Sequence, residues 1–262
     1  MQVLVAGETF HVEVRGAGPP LVLLHGFPLD HTMWEAQLEF FSVGWRVIAP
    51  DLRGFGASVV TPGRVTMEQM ADDCRGLLDA LEIAGPVALC GLSMGGYVAW
   101  QFARKYPDRL RRLVQCDTRA IADSSEAAAN RRKLAEHVLA AGTEALAVAM
   151  LPKLFAPGTT QRRPEVISAV RAMIAVAPPA GAAAAQYGMA ERPDVTAWLP
   201  SVRVPTLLIV GAHDAISPPD EMRAISQAIP GASLRVIENA GHMAPMENPA
   251  DVNRAIAKFL AV

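Results

Sequence analysis

Two hydrophobic rhythms run along this chain, and the point where they stop alternating is as informative as the rhythms themselves. Residues 1–5 and 9–15 alternate apolar and polar side chains around Ala6-Gly7-Glu8, the pattern of an antiparallel hairpin at a sheet edge. Behind the breaker Gly16-Ala17-Gly18-Pro19-Pro20 the pattern changes to an unbroken apolar run, Leu21-Val22-Leu23-Leu24. Such runs suit parallel strands buried on both faces. Residues 46–49 and 87–90 read the same way, and 110–116, 205–210 and 233–237 are strand-like. Helical periods lie between them. Asp30 precedes Met33, Trp34, Leu38 and Phe41, and Thr66 precedes Met70, Cys74, Leu77, Leu78 and Leu81, each set spaced to form one buried stripe behind a capping side chain. The stretch after Ser93, up to Tyr106-Pro107, and residues 219–229 and 248–260 are helical too. Strands alternating with helices predict an α/β fold, with a mostly parallel sheet covered on both faces.

The alternation stops between residues 118 and 198. That stretch holds helix-like runs and no convincing strand, is rich in alanine, and is broken at Pro152, Pro157, Pro164, Pro178, Pro179 and Pro193. It predicts a helical cap, 118–198, inserted into a core made of residues 1–117 and 199–262. A chain of 262 residues is long enough for one large domain carrying such an insertion.

Chemistry concentrates at the ends of the predicted strands. Gly91-Leu92-Ser93-Met94-Gly95 follows an apolar run and opens a helical pattern, the strand-then-helix setting of a Gly-x-Ser-x-Gly nucleophile elbow. Glycines on either side let strand and helix approach closely, and the turn leaves the Met94 N–H at a helix N-terminus, where negative charge is favoured. His25-Gly26-Phe27-Pro28 ends the first apolar run, where elbow-type esterases place a second oxyanion donor; the Phe27 N–H is the candidate, and His25 is expected to hold the loop. Asp214 leaves the 205–210 strand and His242 sits in Asn239-Ala240-Gly241-His242 after the 233–237 strand, so Ser93, Asp214 and His242 follow the order nucleophile, acid, base. Asp117 also follows a strand and satisfies the same order, so it competes with Asp214 for the acid role. Asp51 and Arg53, in Pro50-Asp51-Leu52-Arg53-Gly54-Phe55-Gly56-Ala57-Ser58, read as pins for a tight loop. His11, His31, His137 and His213 show no catalytic-zinc spacing.

Composition narrows the partners. A net charge of −2 gives no reason to expect nucleic acid or an anionic membrane, and points to a small, largely uncharged ligand. Cys74, Cys90 and Cys116 lack metal-ligand spacing and read as buried apolar residues in a reducing compartment. The first residues carry neither a basic start nor a long apolar segment, and no run reaches membrane-spanning length, so a cytoplasmic location is expected. A homo-oligomer is compatible with the sequence.

Together these motifs, which span almost the whole chain, resemble the α/β-hydrolase family in its serine-nucleophile branch. The resemblance implies a mostly parallel, eight-stranded sheet with helices on both faces. It also implies a cofactor-free Ser93–His242–Asp214 triad, an oxyanion hole from the Phe27 and Met94 N–H groups, and a cap that shapes the acyl pocket. Ser93 stands where dehalogenases and epoxide hydrolases of this family carry aspartate. The size and the C-terminal part look most like small carboxylesterases and 3-oxoadipate enol-lactonases. Cofactor-free haloperoxidases, carbon–carbon bond hydrolases and ligand receptors that keep the triad are similar as well. Met33, Trp34, Phe155 and Trp198, with Met150, Leu154 and Met173, are candidates for an apolar pocket, ordinary core packing being the competing account of each. The few charges in these stretches argue against a dicarboxylate substrate, unless one of Arg131, Arg132, Lys133, Arg162 and Arg163 points inward.

Overall fold

The computed structural model describes residues 1–261. β1 (Gln2–Val5) and β2 (Glu8–Arg15) form the expected hairpin, and β2 continues antiparallel onto β4 (Arg46–Pro50). β3 (Pro20–Leu24), β5 (Val87–Leu92), β6 (Leu110–Cys116), β7 (Thr206–Gly211) and β8 (Ser233–Ile237) complete the sheet in parallel. The order is β1-β2-β4-β3-β5-β6-β7-β8. β5 and β7 are buried at every position, which is why their sequences show no alternation. At the β8 edge Arg235 and Val236 are exposed. Strand order reverses between β4, β3 and β5, and the loops leaving the carboxyl ends of β3 and β5 therefore border a crevice.

The helices follow the predicted stripes. Thr66 Oγ1 accepts from the Gln69 N–H and caps α2 (Met67–Ala80), whose Met70, Cys74, Leu77 and Leu78 are buried. Asp30 caps a 3-10 turn, His31–Trp34, and the α-helix proper, α1 (Glu35–Phe41), starts one turn later than the period implied. Asp30 Oδ1 takes both the N–H and the hydroxyl of Thr32 at 2.8 and 2.5 Å, which tightens that first turn. α3 (Met94–Lys105) follows β5 directly and packs on α2.

Between β6 and β7 come α4 (Ser125–Ala141), α5 (Glu144–Leu154), α6 (Thr159–Arg162), α7 (Pro164–Val176) and α8 (Pro179–Ala190), with no strand among them. α8 is seated on the core by two glycines: a Cβ on Gly181 would lie 1.9 Å from the Gly54 carbonyl oxygen, and one on Gly188 1.7 Å from that of Val65. After β7 come α9 (Pro219–Ala228), α10 (Ala244–Glu247) and α11 (Pro249–Leu260). A buried Gln37 Nε2 in α1 donates to Asn253 Oδ1 in α11 at 2.9 Å and to the Pro245 carbonyl at 3.1 Å, tying α1 to α10 and α11. One apolar cluster runs from the sheet into the inserted helices through Val138, Leu146, Val170 and Met189. No single helix among the described residues is long and apolar enough to cross a membrane.

Candidate active site

Ser93 stands between β5 and α3 at φ 52°, ψ −112°, a conformation that L-residues rarely adopt and that persists only where surroundings impose it. The surroundings are specific. The Ser93 N–H donates to the Cys116 carbonyl at 3.0 Å, and its own carbonyl accepts from Gly96 N–H at 2.9 Å and from Thr118 Oγ1 at 2.8 Å. A Cβ on Gly91 would sit 2.3 Å from the Gly95 oxygen, and one on Gly95 2.2 Å from the Leu24 oxygen, so only glycine fits at either place. Neither Met94 N–H nor Phe27 N–H donates to any acceptor among the described residues.

The oxyanion-loop candidates are braced from behind. His25 is fully buried; its Nδ1–H donates to the Gly26 carbonyl at 2.9 Å and its Nε2 accepts the Leu52 N–H at 2.9 Å. Both ring nitrogens are thereby used by a neutral imidazole, and burial holds its pKa below the ordinary histidine value. Arg53 and Asp73 form a bidentate pair at 2.7 and 2.8 Å, and Asp51 accepts the His31 and Ala57 N–H groups at 2.9 Å each. These are the pins that the sequence predicts.

Asp214 and His242 are brought together. His242 Nδ1–H donates to Asp214 Oδ2 at 2.9 Å, while Asp214 Oδ1 accepts the Ile216 and Ser217 N–H groups at 2.7 and 2.9 Å. Burial alone would raise the Asp214 pKa, but the His242 ring and those backbone donors outweigh it and hold the carboxyl below its ordinary range. His242 is positioned by Glu247, a buried carboxylate at the end of α10. It takes the Gly241 N–H at 2.7 Å on one oxygen and the Ala156 N–H and Thr159 hydroxyl at 2.8 and 2.6 Å on the other. The residue before the histidine is thus clamped to the loop between α5 and α6. Nothing in the sequence reading singled out Glu247.

Asp117 is not hydrogen-bonded to the imidazole. It is fully buried behind Asp214, with Oδ1 accepting the Gly211 N–H at 2.8 Å.

Ser93 and His242 open onto one cavity of about 240 Å³, lined also by Phe27, Tyr97, Leu134, Met150, Met189 and Ile216. A wider groove of about 450 Å³, beside Ala120, Leu199 and Ile225, contains neither residue. The sequence-predicted pocket needs correction. Met33 and Trp34 are buried in the core, and Met33 Sδ accepts the Gly26 N–H at 3.4 Å, supporting the loop rather than facing a ligand. Phe155 ends α5 against Gly241 and is not on the cavity wall. Trp198 packs edge-on to Trp100, with ring centroids 6.3 Å apart, and borders a different cavity. Of that set Met150 does face the cavity. Tyr97 was findable, because it lies one helical turn beyond Ser93 and shares its face. Charge is the larger surprise. Arg131 and Lys153 both line the cavity. Arg131 and Arg192 share a single carboxylate, Asp123, at 2.5 and 2.7 Å, and Lys153 has no acidic partner among the described residues.

His11, Glu13 and His31 come close enough to share a metal ion, which their spacing did not indicate. His31 Nδ1 is bonded to Asp51 at 2.6 Å and Glu13 to Arg15 at 2.7 Å, so two of its three members are already paired with residues outside it.

Comparison with known proteins identifies the family of the fold. Residues 19–249 match the family described as alpha/beta hydrolase fold. A thermophilic esterase from Thermogutta terrifontis, solved with malate bound, is 51% identical over 100% of this chain and 97% of its own, with a TM-score of 0.97. The enol-lactonase from Burkholderia xenovorans LB400 is 31% identical, with complete coverage of both chains and a TM-score of 0.93. 3-oxoadipate enol-lactonase 2 of Acinetobacter baylyi is 29% identical over 91% of this chain and 87% of its own.

Proposed function

The chain belongs to the α/β-hydrolase fold family, and on that premise we propose that it is a serine hydrolase of small carboxylic esters or lactones. The observation that carries the reading is the shared cavity: Ser93 and His242 both open onto it, and His242 is backed by Asp214 at 2.9 Å. The esterase and enol-lactonase relatives support the same reaction class.

In this reading Ser93 Oγ attacks the substrate carbonyl while its proton passes to His242 Nε2. Asp214, bonded to Nδ1, holds the ring in the tautomer that leaves Nε2 free to accept, and stabilises the imidazolium once formed. The Phe27 and Met94 N–H groups, which have no acceptor among the described residues, receive the oxyanion. Each such donor contributes on the order of a hundredfold in rate. When the tetrahedral intermediate collapses, the C–O bond to the leaving alcohol breaks and His242 returns the proton to that oxygen. In a lactone the alcohol stays attached to the acyl group. Water, deprotonated by the same imidazole, then attacks the acyl-enzyme and regenerates Ser93. Helices α4–α8 act as the cap that closes the pocket. Its apolar wall of Leu134, Met150, Met189 and Ile216 suits a short acyl chain, and Arg131 and Lys153 suit a substrate carrying a carboxylate at its far end.

Initial rates on a chain-length series of p-nitrophenyl esters, wild type beside Ser93→Ala, test this. Short esters are expected to turn over quickly, with kcat/KM falling by ~10⁴-fold or more in the variant while its circular dichroism is unchanged. Undiminished turnover by Ser93→Ala would sink the proposal.

A further inference from the structure

The proposed mechanism uses one of two carboxyls buried side by side. Asp117 is as buried as any residue in the molecule, and its backbone sits at φ 47°. The backbone is held on both sides: the Asp117 N–H donates to the Ile209 carbonyl at 2.9 Å, and the Asp117 carbonyl accepts from Ser217 Oγ at 3.1 Å. Its Oδ1 accepts the Gly211 N–H, but its Oδ2 is buried with no hydrogen-bond partner among the described residues. A buried carboxylate oxygen without a donor is costly, and two neighbouring carboxylates cannot both ionise cheaply. The titratable groups that face Asp117 are the Asp214 carboxyl, within hydrogen-bonding reach, and the Cys116 thiol; no lysine or arginine among the described residues forms an ion pair with either aspartate. His242 lies on the far side of Asp214. Asp214 already accepts three N–H donors from the imidazole and two backbone amides, so it is the member of the pair suited to carry the charge.

We infer that Asp117 is a protonated positioning residue whose Oδ2–H donates to Asp214, locking the carboxylate that orients His242. That single proton satisfies the orphaned oxygen and removes the repulsion between the two acids. Burial, and then the charge of Asp214, push the Asp117 carboxyl well above its ordinary pKa, with the Gly211 N–H opposing them. The Cys116 thiol beside it is kept neutral by its contact with Cys90 and by burial. The inference rests on the Ser93–His242–Asp214 reading and assigns the second acid a role distinct from that of the first.

The test is the pH dependence of kcat/KM for Asp117→Asn and Asp117→Ala, with Ser93→Ala as reference. Asparagine tolerates positive φ and reproduces the neutral form, its oxygen accepting from Gly211 and its amide donating to Asp214. The acidic limb of the profile is therefore expected to stay where the wild type has it. Alanine removes the donor. It is expected to lower kcat by on the order of tenfold, as for a lost hydrogen bond to a charged group, with KM little changed and the acidic limb moved to higher pH. Were Asp117 ionised, Asp117→Asn would delete a negative charge near the imidazole and move that limb to lower pH. Such a shift, or wild-type kcat and limb in Asp117→Ala, would overturn the inference. Infrared difference spectra of wild type against Asp117→Asn give a second readout independent of turnover: the protonated-carboxyl stretch should be present in the wild type and absent from the variant. If Ser93→Ala itself keeps its activity, the triad reading fails instead, and the two failures are distinguishable.

Discussion

Ser93 is held at positive φ because its neighbours leave no room for another arrangement. The Leu24 carbonyl oxygen lies 2.2 Å from where a Gly95 Cβ would be, and the His25 oxygen lies 2.7 Å away. Both are backbone atoms of the strand and loop that supply the candidate oxyanion donor, so they cannot yield without moving Phe27. Gly95→Ala should therefore cost about 1–3 kcal/mol of stability through overpacking. It should also lower kcat/KM by at least a hundredfold, the scale of one misplaced oxyanion donor. Thermal melts and initial rates measure the two effects separately, and an active Gly95→Ala enzyme would mean that the elbow has slack the geometry denies. At this scale the site was mostly legible. Ser93, His242, Phe27 and Met94 announce themselves through glycine spacing and through their place after a strand. The choice between Asp214 and Asp117 was not, because both leave strand ends in the right order. What separates them is which carboxylate reaches His242 Nδ1, and Asp214 does so through a contact 28 residues apart in sequence. Pocket residues were the least legible: Met33 and Trp34 carry the same apolar signal as Met150, and only packing separates a wall from a core.

Single residues act here through the elements they join. Loops after β3 and β4 meet where His31, at the start of the 3-10 turn, bonds Asp51 through Nδ1 at 2.6 Å. The hydrogen bond to Asp51, opposed by burial, raises the His31 pKa. In Asp51, burial acting upward is outweighed by His31 and by backbone donors, and the carboxyl lies below its ordinary value. The signs fix a pH window. A histidine raised on folding adds stability that is fully present below its unfolded pKa of about 6.5 and lost as pH climbs through the folded value. A depressed aspartate adds stability that is present above its unfolded pKa of about 3.9 and lost as pH falls through the folded value. The brace is strongest between those limits. The Tm gap between wild type and His31→Gln should therefore be widest near pH ~5–6 and shrink as pH climbs through the raised His31 value. A gap constant from acid to alkaline pH would show that the ion pair contributes nothing. Glu247 joins elements in the same way, from α10 to the loop behind α5. It was invisible in the sequence because a buried glutamate and a surface glutamate have the same local pattern. The strands, by contrast, were legible to within a residue or two, since full burial leaves an apolar run with no helical period.

The molecule as a whole carries a net charge of −2, yet its cavity is bordered by cations and by no acidic side chain except through His242. Bulk charge is a poor guide to a pocket, because a low-dielectric cleft focuses the field of the few charges lining it. Arg131 and Arg192 together carry one positive charge more than their shared Asp123 neutralises. Lys153 adds another from α5, with its ammonium exposed and unopposed among the described residues. Sequence reading weighed the charges by their number in the insertion, whereas the fold turns some outward, as Arg163 toward Glu165, and two onto the cavity. A carboxylate at the far end of a short ester would meet this field, and a neutral ester of equal length would not. Lys153→Ala removes a solvent-exposed group that has no acidic partner among the described residues, so stability should be unaffected. Its kcat/KM on a monoester of a short dicarboxylic acid should fall by roughly three- to tenfold, the range for one partly solvated charge pair. The matched neutral ester should be hydrolysed as by wild type. Because the effect is electrostatic, added salt should erode the wild type's preference for the anionic ester over a Debye length of ~10 Å at 0.1 M. Equal losses on both esters would assign Lys153 to packing, and no loss on either would leave Arg131 as the cation that a substrate carboxylate meets.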